Sequence, residues 1–272
     1  MRILVLGAVG LLGTALSATA SPDTDLVGLA HHDCDVTDFE QVAAATAAHR
    51  PQVLINAAAI PHTRACEVDP VRARAVNIAG ARNCAQAANR YRALLVQISG
   101  NIVFAPAEHP RAEDEYPDNT DGVLGQSKAA ADSAAVAADR LLLVRTACLF
   151  GNHADGTPGG LIGRILATPD GATLRMTRTA TNAAHTQDVA TAIHRLASEL
   201  HTGTYHLVNP RPTTPYELAR AVAARTGRIW NIEPTDLGTP RLLATGSATA
   251  AGIELRPLPI ALDAYFAAMA AG

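Results

Sequence analysis

Aromatic residues are scarce in this chain, 4% of 272 residues, with a single tryptophan. Its core must be built mainly from small and aliphatic side chains, which suits closely packed helices and leaves few large anchors. Cysteine is also sparse. Cys34, Cys66, Cys84 and Cys148 are scattered, with no C-x-x-C and no zinc spacing. That pattern excludes a disulfide framework and predicts reduced thiols in a cytoplasmic protein. No uninterrupted apolar run reaches membrane-spanning length, so no membrane partner is expected. A net charge of −3 without a long basic run argues against nucleic acid as the main partner. At 272 residues the chain can hold one large α/β domain or a nucleotide-binding domain with a small appendage, and a soluble protein is expected.

The most informative stretch is the first. Arg2-Ile3-Leu4-Val5-Leu6 is a short apolar run, and Gly7, Gly10 and Gly13 follow it at G-x-x-G-x-x-G spacing around Val9, Leu11 and Leu12. The pattern predicts a buried strand, a tight turn and a helix N-terminus whose free N–H groups and dipole attract a diphosphate. The competing interpretation is a secretory leader, with Ala18-Thr19-Ala20-Ser21 as a small-residue cleavage site. Three regularly spaced glycines are foreign to such a leader, and the nucleotide-binding turn is preferred.

Strand and helix patterns then alternate. Asp25–Leu29 predicts a second strand, running into His31 and His32 without the carboxylate that usually binds the adenosine ribose of NAD. NADP(H) is therefore favoured over NAD(H), and the two histidines are either contacts to its 2′-phosphate or exposed loop residues. Asp35, with Val36, is placed near the adenine, and Asp38 caps a helix from Phe39 to His49. His31-His32-Asp33-Cys34-Asp35 offers ligand-type side chains that point in different directions, so no metal site is expected. Val53–Ile55 predicts a buried strand, and the small Ala57, Ala58 and Ala59 after it let a cofactor lie against the backbone. Further helices are expected over 70–92, 126–138, 187–200, 215–225 and 260–269, with strands over 94–98, 141–144 and 205–208. This alternation predicts a Rossmann-type doubly wound parallel sheet. Residues 1–150 form the dinucleotide-binding domain and 151–272 a smaller substrate-binding part, some of whose segments return to the first.

The ordered motifs GAVGLLG, DVTD, VLINAAA, Val76-Asn77, a Ser99 segment, a Lys-bearing helix, VRT and YHL resemble the extended short-chain dehydrogenase/reductases. Within them the chain looks most like the dTDP-4-dehydrorhamnose reductases. The resemblance implies hydride transfer from NADPH or NADH to a ketone. It also implies a Tyr-x-x-x-Lys pair on one helix face and a serine that hydrogen-bonds the substrate oxygen. On these terms Ser99 and Lys128 are catalytic, and Asn77 and Lys128 also contact the cofactor.

One piece of that pattern is missing. With Lys128 in the lysine position, the tyrosine position holds Leu124, which has no proton to give. The family's S-T-D-Y-V-F becomes Ser99-Gly100-Asn101-Ile102-Val103-Phe104, and its small or aliphatic loop residues and Asp become His62, Thr63 and Arg64. His62 and Tyr116 are the candidate replacement acids, and Arg64 and Asn101 the candidate substrate contacts. Three functions follow. The first is reduction of a nucleotide sugar or specialised metabolite with an unusual proton donor. The second is non-redox isomerase, lyase or cyclase chemistry. The third is a regulatory subunit acting on a partner enzyme, as the methionine adenosyltransferase β subunit does within the family. A homodimer is plausible because two-fold assemblies are the commonest.

Overall fold

The computed structural model describes residues 1–236 and 238–271. The chain begins with β1 (Arg2–Leu6), α1 (Leu11–Ala18), β2 (Asp25–Leu29), α2 (Phe39–His49) and β3 (Val53–Asn56). It continues through α3 (Thr63–Val68), α4 (Pro70–Arg74), a π turn (Ala75–Ala79), α5 (Gly80–Tyr91) and β4 (Leu94–Gly100). Next come α6 (Gly122–Ala135), β5 (Leu141–Thr146), β6 (Cys148–Asn152), β7 (Pro158–Gly159), α7 (Gly160–Leu166), β8 (Thr173–Thr177) and β9 (Ala183–His185). The rest is α8 (Thr186–Ser198), β10 (Gly203–His206), α9 (Pro215–Thr226), β11 (Asn231–Thr235), α10 (Gly246–Ala250) and α11 (Leu258–Ala271).

Six strands form the main sheet in the order β10-β5-β4-β3-β1-β2, and every neighbouring pair is parallel. Alternate side chains along each strand feed opposite layers. Ile3, Val5, Val53, Ile55, Leu94 and Val96 join one core with residues of α1 and α8. Leu4, Leu6, Leu54 and Leu95 join the other with residues of α2, α5 and α6. A separate cluster around Phe150, Ile162, Leu218, Trp230 and Tyr265 knits together the smaller sheets and α7, α9 and α11. Strand β10 and helix α8, both from the second half of the chain, complete the first sheet and its covering layer.

The connection leaves β1 toward β2 on one side and β3 on the other. That reversal opens a crevice at the carboxyl ends of the strands, where ligands of open α/β sheets bind. The approach there is close enough to require glycine. A Cβ on Gly7 (φ +82°) would lie 2.6 Å from the Ala58 nitrogen, and one on Gly13 would lie 2.3 Å from the Gly7 carbonyl oxygen. Helix α1 therefore starts directly against the strand that precedes it.

Local signals set most helix ends. Asp38 accepts from the amides of Glu40 and Gln41 at the start of α2. Thr214 and Glu217 form a reciprocal capping box, Pro215 opens α9, and Gly227 closes it in the left-handed conformation. The single helix expected over 70–92 is instead broken by the π turn. Asn77 sits in that turn, and its amide is drawn into bonds with Ile60 and Ser127 that a regular helix would not reach. Helix α6 begins four residues before the expected start and stops at Ala135. Gly13→Ala should lower stability by about 1–3 kcal/mol, because its methyl group must displace backbone; urea unfolding measures this, and an unchanged midpoint would contradict the packing described.

Candidate active site

The cofactor turn presents free donors. Gly10 precedes α1 without a side-chain cap, so the first-turn amides of Leu11, Leu12 and Gly13 have no intrahelical acceptor. With the dipole of α1 behind them, these donors fit the diphosphate of a dinucleotide. Val9 is exposed and Leu12 is buried in the core, so Leu12 contributes its backbone alone. The half-buried Ala57, Ala58 and Ala59 lie at the end of β3 beside Gly7.

Several sequence-predicted cofactor contacts are placed differently. Val36 is buried, its side chain fills the space over Gly80, and its carbonyl accepts from Asn83. The Val36 side chain belongs to the core. Asn77 donates to Ser127 Oγ at 3.0 Å and to the Ile60 carbonyl at 3.3 Å, while its Oδ1 accepts from the Ile60 amide at 2.9 Å. With its amide spent on these bonds, Asn77 braces the loop after β3 against α6. His31 and His32 are both exposed, at 4.0 Å from Asp35 and 3.4 Å from Asp33 respectively. Bonds from the Thr37 backbone and hydroxyl occupy Asp35 Oδ1 and hold that carboxyl below its usual pKa.

Leu124 and Lys128 share one face of α6, as i and i+4 residues must. Leu124 is buried in an apolar cluster with Cys66, Ala73, Ile60 and Ile102. Lys128 is also buried, and its Nζ donates to the Ile98 carbonyl at 2.9 Å. Burial pushes its pKa down, with Asp132 one turn later acting against that shift. Ser99 is the penultimate residue of β4 beside them, and both Ser99 Oγ and Asp132 Oδ1 are buried without a well-formed hydrogen bond. The serine hydroxyl faces the Asp132 carboxylate and favours its ionised form against the burial that pushes its pKa up.

Behind this group runs a buried chain of charge. Asp132 Oδ2 lies 3.0 Å from Arg145 Nε, with 4% exposure on each side chain. Arg145 Nη1 approaches His206 Nε2 at 3.4 Å, and His206 Nδ1 is 2.8 Å from the Ala244 carbonyl. This places the imidazole proton on Nδ1 and leaves Nε2 to accept from the arginine.

The two candidate acids part company. Tyr116 is 89% exposed on a loop tied down by Arg111 bonds to Glu115 and Asp118, so it stands outside the buried group around Lys128. His62 precedes α3 and lines a cleft of about 750 Å³ with Arg64, Cys148, His153, Gly159 and Arg164. The cleft adjoins the cofactor turn, since a Cβ on Gly159 would meet Leu11 Cδ1 at 2.5 Å and His153 Nε2 at 2.8 Å. Asn101 donates its amide to the Arg241 carbonyl at 2.8 Å and so serves first as a strut. Asp132, His153 and Arg164 stand outside the sequence-predicted set. For Asp132 the available signal is its i, i+4 spacing from Lys128; for the other two, only the fold brings them near His62.

Burial and the neighbouring Arg145 push the His206 pKa down to about 4. A histidine whose folded pKa is depressed contributes stability that is present above its unfolded value of about 6.5 and lost as pH falls toward 4. Urea unfolding should therefore show up to about 3 kcal/mol lost across that window. His206→Gln should flatten it, and an identical pH slope in that variant would contradict the assignment.

Residues 1–251 match the family described as RmlD substrate binding domain. A dTDP-4-dehydrorhamnose reductase from Streptomyces griseus is 31% identical over 270 residues, covering 96% of this chain and 85% of that one. Among solved structures, the dTDP-4-dehydrorhamnose reductase of Bacillus anthracis str. Ames in complex with NADP has a TM-score of 0.88 at 22% identity, covering 97% of this chain and 98% of that one. The Thermus thermophilus UDP-glucose 4-epimerase, in complex with NAD, has a TM-score of 0.81 at 20% identity and 99% coverage of both chains. This chain therefore belongs to the RmlD substrate binding domain family, and its Rossmann-type sheet has the fold of the extended short-chain dehydrogenase/reductases.

Proposed function

We propose that this protein binds NADP(H) and reduces a keto group on an anionic small molecule of the nucleotide-sugar kind, with His62 in place of the tyrosine as proton donor. The observation that carries this reading is the cleft, in which His62 stands with Arg64 and Arg164 against the Leu11 end of the cofactor turn. The Streptomyces griseus relative is named for reduction of a nucleotide-linked sugar, and the Bacillus anthracis structure holds NADP, which supports both halves.

The division of labour follows from the placement of each group. Amides of Leu11, Leu12 and Gly13 hold the cofactor's diphosphate, and Lys128 supports the nicotinamide ribose. Bound NADPH supplies the hydride. Ser99 Oγ donates a hydrogen bond to the substrate carbonyl oxygen as negative charge builds there. The His62 imidazole then gives that oxygen a proton. Arg64 and Arg164 match the oxygens of a diphosphate in bidentate fashion. The lack of a tyrosine one turn before Lys128 motivates a second reading, non-redox isomerisation or elimination.

With keto nucleotide sugars as substrates, His62→Ala should slow NADPH oxidation by about 10²–10⁴-fold, the usual effect of losing a general acid. Leu124→Ala should retain activity. Leu124→Tyr should raise the rate by returning a phenol beside Lys128, at a stability cost of about 1–3 kcal/mol from overpacking. Product formed without any nicotinamide would replace this reading with the non-redox one, and full activity in His62→Ala would remove His62 from the reaction.

A further inference from the structure

The amino ends of the strands, opposite the cofactor turn, carry a second cleft of about 650 Å³. Arg2, Arg50, Arg92 and Arg140 line it, together with Tyr91 and Leu200, and no carboxylate does. They come from four separate places in the chain: the first residue of β1, the residues just after α2 and α5, and the residue before β5. Among the described residues none of these four arginines is in an ion pair. The carboxylate nearest in sequence to Leu200, Glu199, is engaged by Arg195 and His201.

The backbone adds an independent observation. Among the described residues, the non-glycine residues with positive φ are Arg50 at +43°, Arg92 at +57° and Leu200 at +55°, and all three line this cleft. Helices end at this edge in any sheet of this kind, so a left-handed residue at each end is expected. The choice of residue is not. Glycine takes that conformation without strain, and the chain uses Gly227 in the same role at the end of α9. Side chains retained where the backbone favours glycine mark positions at which the side chain is used. One arginine per helix end would offset the partial negative charge there. Arg2 Nε donates to the Arg50 carbonyl at 2.9 Å, at the end of α2, whereas Arg140 belongs to a strand start and exceeds that need.

We infer that this arginine-lined cleft binds a compact polyanion carrying two or more phosphoryl groups. Guanidinium forks match phosphoryl oxygens in pairs, and several of them around one concave pocket suit a compact charge better than an extended acidic chain. Tyr91, half-buried at the rim with Arg90 5.7 Å over its ring, offers an aromatic face to a nucleobase. The site is separate from the reductase cleft and does not depend on the function proposed there.

Titration calorimetry of the full chain with sodium pyrophosphate, at constant ionic strength and with NADPH at saturating level, tests this. One-site binding is expected, weakened at least tenfold in Arg50→Gly/Arg92→Gly and in Arg140→Gln. Because glycine relieves the backbone at both positions, the double variant should melt no lower than the parent, which separates lost binding from lost folding. ADP run in parallel identifies the source. Tighter binding of ADP that is lost in Tyr91→Ala points to a nucleotide, and equal binding points to the diphosphate itself. No pyrophosphate binding, undiminished binding in both variants, or stronger binding of a hexaglutamate peptide would overturn the assignment.

Discussion

Three backbone segments meet at the first turn with no room for a side chain between them. Strand β1 delivers Gly7 against Ala58, and Gly13 brings the first turn of α1 against the Gly7 carbonyl. Both contacts lie closer than any Cβ tolerates, so the two glycines decide where α1 begins and how near β3 approaches. The consequence is chemical. Unpaired amides of α1 and the small residues after β3 face the same crevice, which is the geometry a dinucleotide requires.

Across the sheet edge, a second set of interactions holds the reactive face. Asn77 fixes the Ile60 loop to Ser127 through its π turn. Asp132 ties α6 to Arg145 on β5, and Arg145 in turn leans on His206 of β10. Lys128 and Ser99 lie buried within this group. Leu124 packs into an apolar cluster on the same face of α6 as Lys128. The cleft beside the cofactor turn concentrates basic groups at His62, Arg64, His153 and Arg164. That combination suits an anionic substrate and a proton donor on the loop after β3.

Most of the main sheet was legible in the sequence because its strands are short apolar runs separated by helical patterns, while β10 (Gly203–His206) begins two residues before the strand expected over 205–208. Strand β1 has the expected bounds, and β3, β4 and β5 extend theirs by one or two residues at the carboxyl end. Caps at Asp38 and Thr214 were legible for the same local reason. Orientation was not. Asn77 and Val36 have residue types that suit a cofactor contact, yet one is consumed in bracing a loop and the other is packed in the core. Tyr116 has the right chemistry, but a loop anchored by Arg111 leaves it exposed. Groups assembled by topology left little trace in the chain. Arg164 lies a hundred residues beyond Arg64, and the arginines at the amino edge are spread from the first strand to the fifth.

Titration of the purified protein with NADPH and with NADH, followed by nicotinamide fluorescence, tests the central claim that the glycine turn still holds a dinucleotide. Saturable binding of one NADPH per chain, tighter than NADH and abolished in Gly13→Ala, is the predicted result. Binding of neither cofactor would contradict it and would leave the crevice at the first turn to a different phosphate ligand.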